Sequence, residues 1–152
     1  MDNDTVNETA RHFLISTFYI SDSLLGLDTM RVQEVIRVTH ITPVHQAPDH
    51  ILGIINLRGR IVTVIHLGRK LDLTDNRINP DSRILIVDWK NEYIGLLVDR
   101  VSEVVDADRE SLAPPPANID AGPRQAMVGV IQTPHHIISL LDVDQVLSEE
   151  EK

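Results

Sequence analysis

The stretch GIINLRGRIVTVIHL, from Gly53 to Leu67, decides how the rest of the chain is read. Two apolar runs, Gly53–Leu57 and Ile61–Leu67, flank the polar insert Arg58-Gly59-Arg60, whose glycine is free to take a positive φ. Strands rich in Ile and Val around a tight polar turn predict a β-hairpin. The pattern returns as GVIQTPHHIISLLDV from Gly129, 76 positions after Gly53, so that Ile131 falls on Ile55 and Ile137 on Ile61. Self-similarity at a fixed offset marks a duplicated architecture.

The rest of the duplication lies upstream. Phe13–Ile20 reads as a strand, Ser21–Ser23 as a turn and Leu24–Leu27 as the returning strand. In the second half, RILIVDW from Arg83, the turn Lys90-Asn91-Glu92 and the strand Tyr93–Val98 repeat that order. With Gly26 placed on Gly95, Arg31-Val32-Gln33-Glu34-Val35 falls on Arg100-Val101-Ser102-Glu103-Val104. Phe13-Leu14-Ile15 then matches Ile84-Leu85-Ile86 if the first hairpin has two extra residues. Asp28 or Thr29 is expected to cap a helical turn carrying Val32, Val35 and Ile36 on one side. Pro43 and Pro48 restrict ITPVHQAP to an edge strand or loop, and Asp49 is expected to cap a turn over His50–Leu52. A short helix is expected at Gly68–Leu73, a linker at 74–81, and an extended loop around Pro114–Pro116. Asp142 should cap a last helix, DVDQVLSEE.

Short strands with few helices predict an all-β fold. About five strands per half suit a small closed barrel, so the expectation is two five-stranded barrels packed side by side. They form one unit over residues 11–148, with halves at about 11–75 and 82–148, a disordered lead-in over 1–10 and an acidic tail at 149–152. A half of about 65 residues is marginal alone, so the contact between halves should be apolar.

Fourteen basic against 23 acidic side chains give a net charge of −9, which opposes nucleic-acid binding. Five scattered aromatics make no stacking platform. The chain has no cysteine, hence no disulfide framework or thiolate site. No secretory signal opens it and no apolar run approaches the roughly 20 residues needed to span a bilayer, so a soluble cytoplasmic protein is expected.

Catalytic constellations are equally scarce. The seven histidines form no HExxH or His-x-x-x-His pattern, and His135-His136 fall in a hairpin turn where solvated side chains are the ordinary outcome. Gly53 and Gly59 lie on a hairpin, so no phosphate-binding loop is present. His66 stands where the second copy has Asp142, and either caps the following helix or lies on the surface. Recognition remains. Arg58, at a turn that points into solvent, is either an ordinary polar tip or a forked donor for a partner carboxylate. Val32, Val35, Val101 and Val104 are either core or the walls of an apolar groove where two helical turns meet.

Taken together, ITPVHQAPDHILGIINLRGRIVTVIHL, Val32-Gln33-Glu34-Val35, the Gly95–Val101 run ending Val98-Asp99-Arg100-Val101 and the Pro114–Pro116 loop resemble the CheW family, adaptors of bacterial and archaeal chemosensory arrays. The match runs from about Phe13 to Leu147. The resemblance implies two intertwined SH3-like barrels, no catalytic activity and no cofactor or metal. It implies as partners the cytoplasmic tip of a chemoreceptor and the regulatory domain of the histidine kinase CheA, with rings as a further assembly and membrane contact only through receptors. Carried onto this chain, Arg58 is the receptor-facing arginine. Val32, Glu34, Val35 and Gly53 belong to the receptor-binding region, with Val98 and Val101 from the second half, and no residue is assigned to the kinase. His66 and His45 depart from the family's usual Asp and Pro, and Ser21–Ser23 from its Gly-rich first turn. Three other readings are weighed: an isolated CheA-type regulatory domain, against which stand the start at Met1 and the lack of a preceding kinase region; an adaptor of a pilus or second-messenger pathway; and a small metal-dependent hydrolase using His135, His136 and Asp142.

Overall fold

Short runs rich in β-branched and other apolar residues, bounded by polar turns, select the strands. The computed structural model describes residues 11–117 and 125–148. The first hairpin joins β1 (His12–Ile20) to β2 (Ser23–Asp28), and β3 (Val32–Arg37) follows. The hairpin of β4 (Ile51–Leu57) and β5 (Arg60–His66) leads into the helical turn α1 (Leu67–Lys70). The second half repeats this with β6 (Arg83–Trp89), β7 (Glu92–Val98), β8 (Arg100–Asp108) and β9 (Leu112–Ala113), then β10 (Met127–Gln132), β11 (Ile137–Leu141) and α2 (Val143–Leu147).

The sheets cut across the repeat. One has the order β8-β1-β2-β11-β10-β9, the other β3-β6-β7-β5-β4. Each therefore takes a hairpin (β1–β2 or β6–β7) from one half and its remaining strands from the other. Among the described residues the halves are sewn together where β1 meets β8 and β3 meets β6, both antiparallel, and where β2 meets β11 and β5 meets β7, both parallel. Both sheets close in the same way. Beyond β3, Thr42 exchanges backbone hydrogen bonds of 2.9 and 2.8 Å with Ile54 on the opposite edge. Beyond β8, Ala113 of β9 pairs with Val130, 76 positions after Ile54. The chain thus rolls each sheet into a ring, which removes exposed edges. The expected all-β architecture of paired barrels is what the chain adopts, the six-stranded sheet gaining the two-residue β9.

Three apolar clusters fill the molecule. Ile55, Val62, Val64, Ile84, Ile86 and Leu97 fill the five-stranded barrel. Ile15, Ala107, Ile131, Ile138 and Leu140 fill the other. The largest lies between the barrels, with Phe18, Ile20 and Leu27 from one sheet and Leu85, Val87, Leu96 and Val98 from the other. Strand β6 shows the logic: Ile84 and Ile86 face into their barrel while Leu85 and Val87 face the shared core, and all four are buried. Full burial of such a side chain stabilises by about 1.5–3 kcal/mol, so the shared core holds the barrels as one body.

Several local expectations are corrected. The helical turn expected over Val32–Ile36 is strand β3. Helical geometry is confined to a 3-10 turn, Thr29–Arg31, capped by Asp28, whose Oδ1 accepts from the Met30 amide at 3.0 Å. A register shift between Val32 and Glu34 breaks the period of two there, and a bulged strand then imitates helical spacing. Strand β8 has a bulge at the matching place, where its pairing with β1 shifts between Ser16 and Phe18. The two helical turns expected to wall a groove are therefore strands, one in each sheet. No insertion separates the first hairpins: Ile15 pairs with Asp28 as Ile84 pairs with Leu97, at a constant offset of 69. The hairpin turn is Arg58-Gly59 alone, Ile51 and Leu52 already belong to β4, and α1 ends at Lys70. The lead-in at 1–10, part of the loop after Pro116 and the tail at 149–152 lie outside the described residues.

Candidate interaction site

Leu57 pairs with Arg60, leaving Arg58 and Gly59 as a two-residue turn with φ of +51° and +86°. Positive φ at both positions is the type I′ geometry that matches the twist of the flanking strands. Asn56 Oδ1 accepts the Gly59 amide at 2.8 Å and fixes the turn. A left-handed arginine costs roughly 1–2 kcal/mol against an extended one, so the fold holds Arg58 where the residue itself would not go.

Its side chain is 69% exposed, yet it is not unpartnered: the guanidinium donates to Glu34 Oε1 on β3. That hydrogen bond first, and the charge of Glu34 second, push the guanidinium pKa up. Tyr93 of β7 adds a smaller effect of the same sign and carries Arg60 over its ring at 3.8 Å. The hairpin tip therefore presents an oriented ion pair beside a covered aromatic. Sequence reasoning placed both Arg58 and Glu34 but not their contact, and it missed Tyr93 and Arg60, whose separation in the chain gives no spacing signal.

The remaining candidates divide by burial. Val35 is 46% exposed, and as the next residue of an extended strand it faces away from the side of Glu34. Val32 is half-buried against the shared core. Its repeat counterpart Val101 is 39% exposed on β8, opposite Phe18 in the other sheet. Val98 is buried in the shared core and Gly53 lies under the closing strand. These two shape the scaffold, and a partner reaches them only through their neighbours.

The histidines gather nothing. His135 and His136 are exposed in the β10–β11 turn, where the His136 amide donates to Thr133 Oγ1 at 3.0 Å. Asp142 caps α2 as expected, accepting the Asp144 amide at 2.9 Å. Among the described residues no three His, Asp or Glu side chains converge as a metal would require. No helix among them is long and apolar enough to cross a membrane.

Comparison with known proteins gives a consistent answer. The family model described as "CheW-like domain" matches residues 15–151. Chemotaxis protein CheW of Thermotoga maritima is 29% identical over 145 residues, covering 95% of this chain and 94% of that protein. Chemotaxis protein CheW of Treponema pallidum is 27% identical over 143 residues, covering 91% and 84%. The crystal structure of the scaffolding protein TtCheW from Thermoanaerobacter tengcongensis superposes with a TM-score of 0.80 at 34% identity, over 89% of this chain and 87% of that one.

Proposed function

Because the chain belongs to the family of CheW-like domains, a non-catalytic scaffold family of chemotaxis signalling, we propose that it couples chemoreceptors to the histidine kinase CheA. The observation that supports this most is the Arg58–Glu34 pair, held at an exposed hairpin tip by a left-handed backbone and an Asn56 brace. A solvated arginine on a free loop would lose rotamer entropy on binding; one already paired loses less. The receptor tip supplies a hydrogen-bonding group to this pair, and Val35 and Val101 supply exposed apolar contact. Val32, Gly53 and Val98 set the positions of those groups from behind. The kinase meets another face of the same rigid body, so two modest affinities combine into avidity in a membrane-associated array on the cytoplasmic side.

Co-sedimentation with receptor-bearing membranes, with and without CheA, tests the reading. Wild type should bridge receptor and kinase. Arg58→Glu should keep its fold, at a cost of at most about 1 kcal/mol for an exposed pair, and lose the receptor. Equal bridging by both proteins would reduce Arg58 to a turn residue. Failure of wild type to bind any receptor or kinase of its own cell would sink the coupling role.

A further inference from the structure

The linker at 74–81 is tied down through one histidine. His66 is 4% exposed and sits at the N-cap of α1. Its Nδ1 accepts the Arg69 backbone amide at 3.1 Å, so the neutral ring carries its proton on Nε2, which donates to the Asn76 carbonyl at 2.7 Å. The Asn76 side-chain amide then donates to Ser21 Oγ and to Asp99 Oδ2, both at 2.9 Å. Ser21 lies in the β1–β2 turn and His66 ends β5, so the relay runs from a cap in one barrel, through the linker, to a hairpin of the other.

The two repeats differ at this point. Asp142 holds the matching place and accepts the Asp144 and Gln145 amides at 2.9 and 3.4 Å. A carboxylate cap remains an acceptor throughout the range in which aspartate is ionised, whereas an imidazole gains a proton within about two units of neutrality. A second proton on His66 would sit on Nδ1 and point at the Arg69 amide, setting donor against donor in a buried site.

We propose that His66 makes the capping of α1 dependent on pH, holding the Arg69 amide when its ring is neutral and releasing it when the ring is charged, while the Nε2 bond to the Asn76 carbonyl survives in both forms. Charged groups surround this corner of the fold. Asp75 of the linker pairs with Arg69 of α1 and has its carboxyl pushed below the usual range, by Arg69 first and by His66 and Arg77 to a smaller degree. Asp49 and His50, ahead of β4, and Asp72, after α1, line the same shallow depression as Arg69 and Asp75, and Asp99 and Arg100 flank the far end of the relay. The shared core is untouched by this exchange, so the release is local.

Amide exchange read as protection factors, which remove the intrinsic pH dependence of exchange, tests the proposal at about pH 7.5 and about pH 5.5, either side of the imidazole range. Protection at Arg69, Leu71 and Leu73 should fall by about fivefold or more at the lower pH, the factor that loss of an ordinary N-cap implies, while Leu85 in the shared core changes less. The His66 ring nitrogen shifts should report the Nε2-protonated tautomer at the higher pH and lose it over the same range, a measurement that needs no variant. His66→Asp should keep its protection at both values, and His50→Asn should leave the wild-type response in place. A ring that takes its second proton while Arg69 stays protected would overturn the proposal. So would the same loss in His66→Asp, or abolition of the response by His50→Asn.

Discussion

Gly129 holds in one barrel the place that Gly53 holds in the other: each lies so close beneath the closing strand that a Cβ would strike its carbonyl, Ala113 O at 2.3 Å and Thr42 O at 2.1 Å. The repeated glycine is thus the mark of ring closure. Gly53→Ala and Gly129→Ala should each lower the free energy of unfolding by about 3 kcal/mol or more, by forcing the closing strand off the barrel. Gly53→Ala should be the worse, since its φ of +150° adds backbone strain. Urea midpoints of the two variants check both the size and the order.

The tip of the central hairpin separates stability from binding. Arg58→Asn creates Asn-Gly, the preferred type I′ pair, at a position already in that geometry. The gain of up to about 1 kcal/mol should match or exceed the loss of an exposed ion pair. We expect an unchanged or higher urea midpoint together with loss of receptor co-sedimentation. A variant that is both stable and binding-competent would remove Arg58 from the interface.

Burial divides the valines just as sharply. Val98→Ala should destabilise by about 1–3 kcal/mol through a cavity in the shared core. Val35→Ala should stay within about 0.5 kcal/mol of wild type yet weaken receptor binding. Parallel denaturation and binding curves test the contrast.

Acid sensitivity has a specific contributor in Asp108. Its carboxyl is held below the usual range, chiefly by the Glu110 amide that it accepts and then by Arg11. A carboxyl depressed in the folded state adds stability above its unfolded pKa of about 3.9, and that stability is lost as pH falls through the folded value. Unfolding followed from about pH 5 down to pH 3 should therefore be less steeply pH-dependent in Asp108→Asn than in wild type.

Much of this was readable in one sequence because each hairpin is a pair of apolar runs around a short polar turn. Gly53–Leu67 and Gly129–Leu141 both show that pattern at one fixed offset, and Asp142 announces its helix. The bulge after Val32 was not readable, since one extra residue in a strand shifts Val35 and Ile36 into a helix-like spacing. Sheet membership was hidden for another reason. Arg31–Val35 and Arg100–Val104 differ at one position in five, so locally each strand fits either first hairpin. The choice falls to long-range closure, which no window of sequence contains. The Arg58–Glu34 contact is hidden likewise, because it depends on which sheet β3 joins.

The crossed strand order also governs how the molecule comes into being. As the chain leaves the ribosome, β3, β4 and β5 emerge early but cannot close until β6 and β7 follow, while β1 and β2 wait for β8 through β11. Cut within 74–81, the protein would yield two fragments, neither owning a complete barrel, each the only template on which the other can fold. Two halves that look like modules are in this sense a single indivisible unit, made whole only when its last strand arrives.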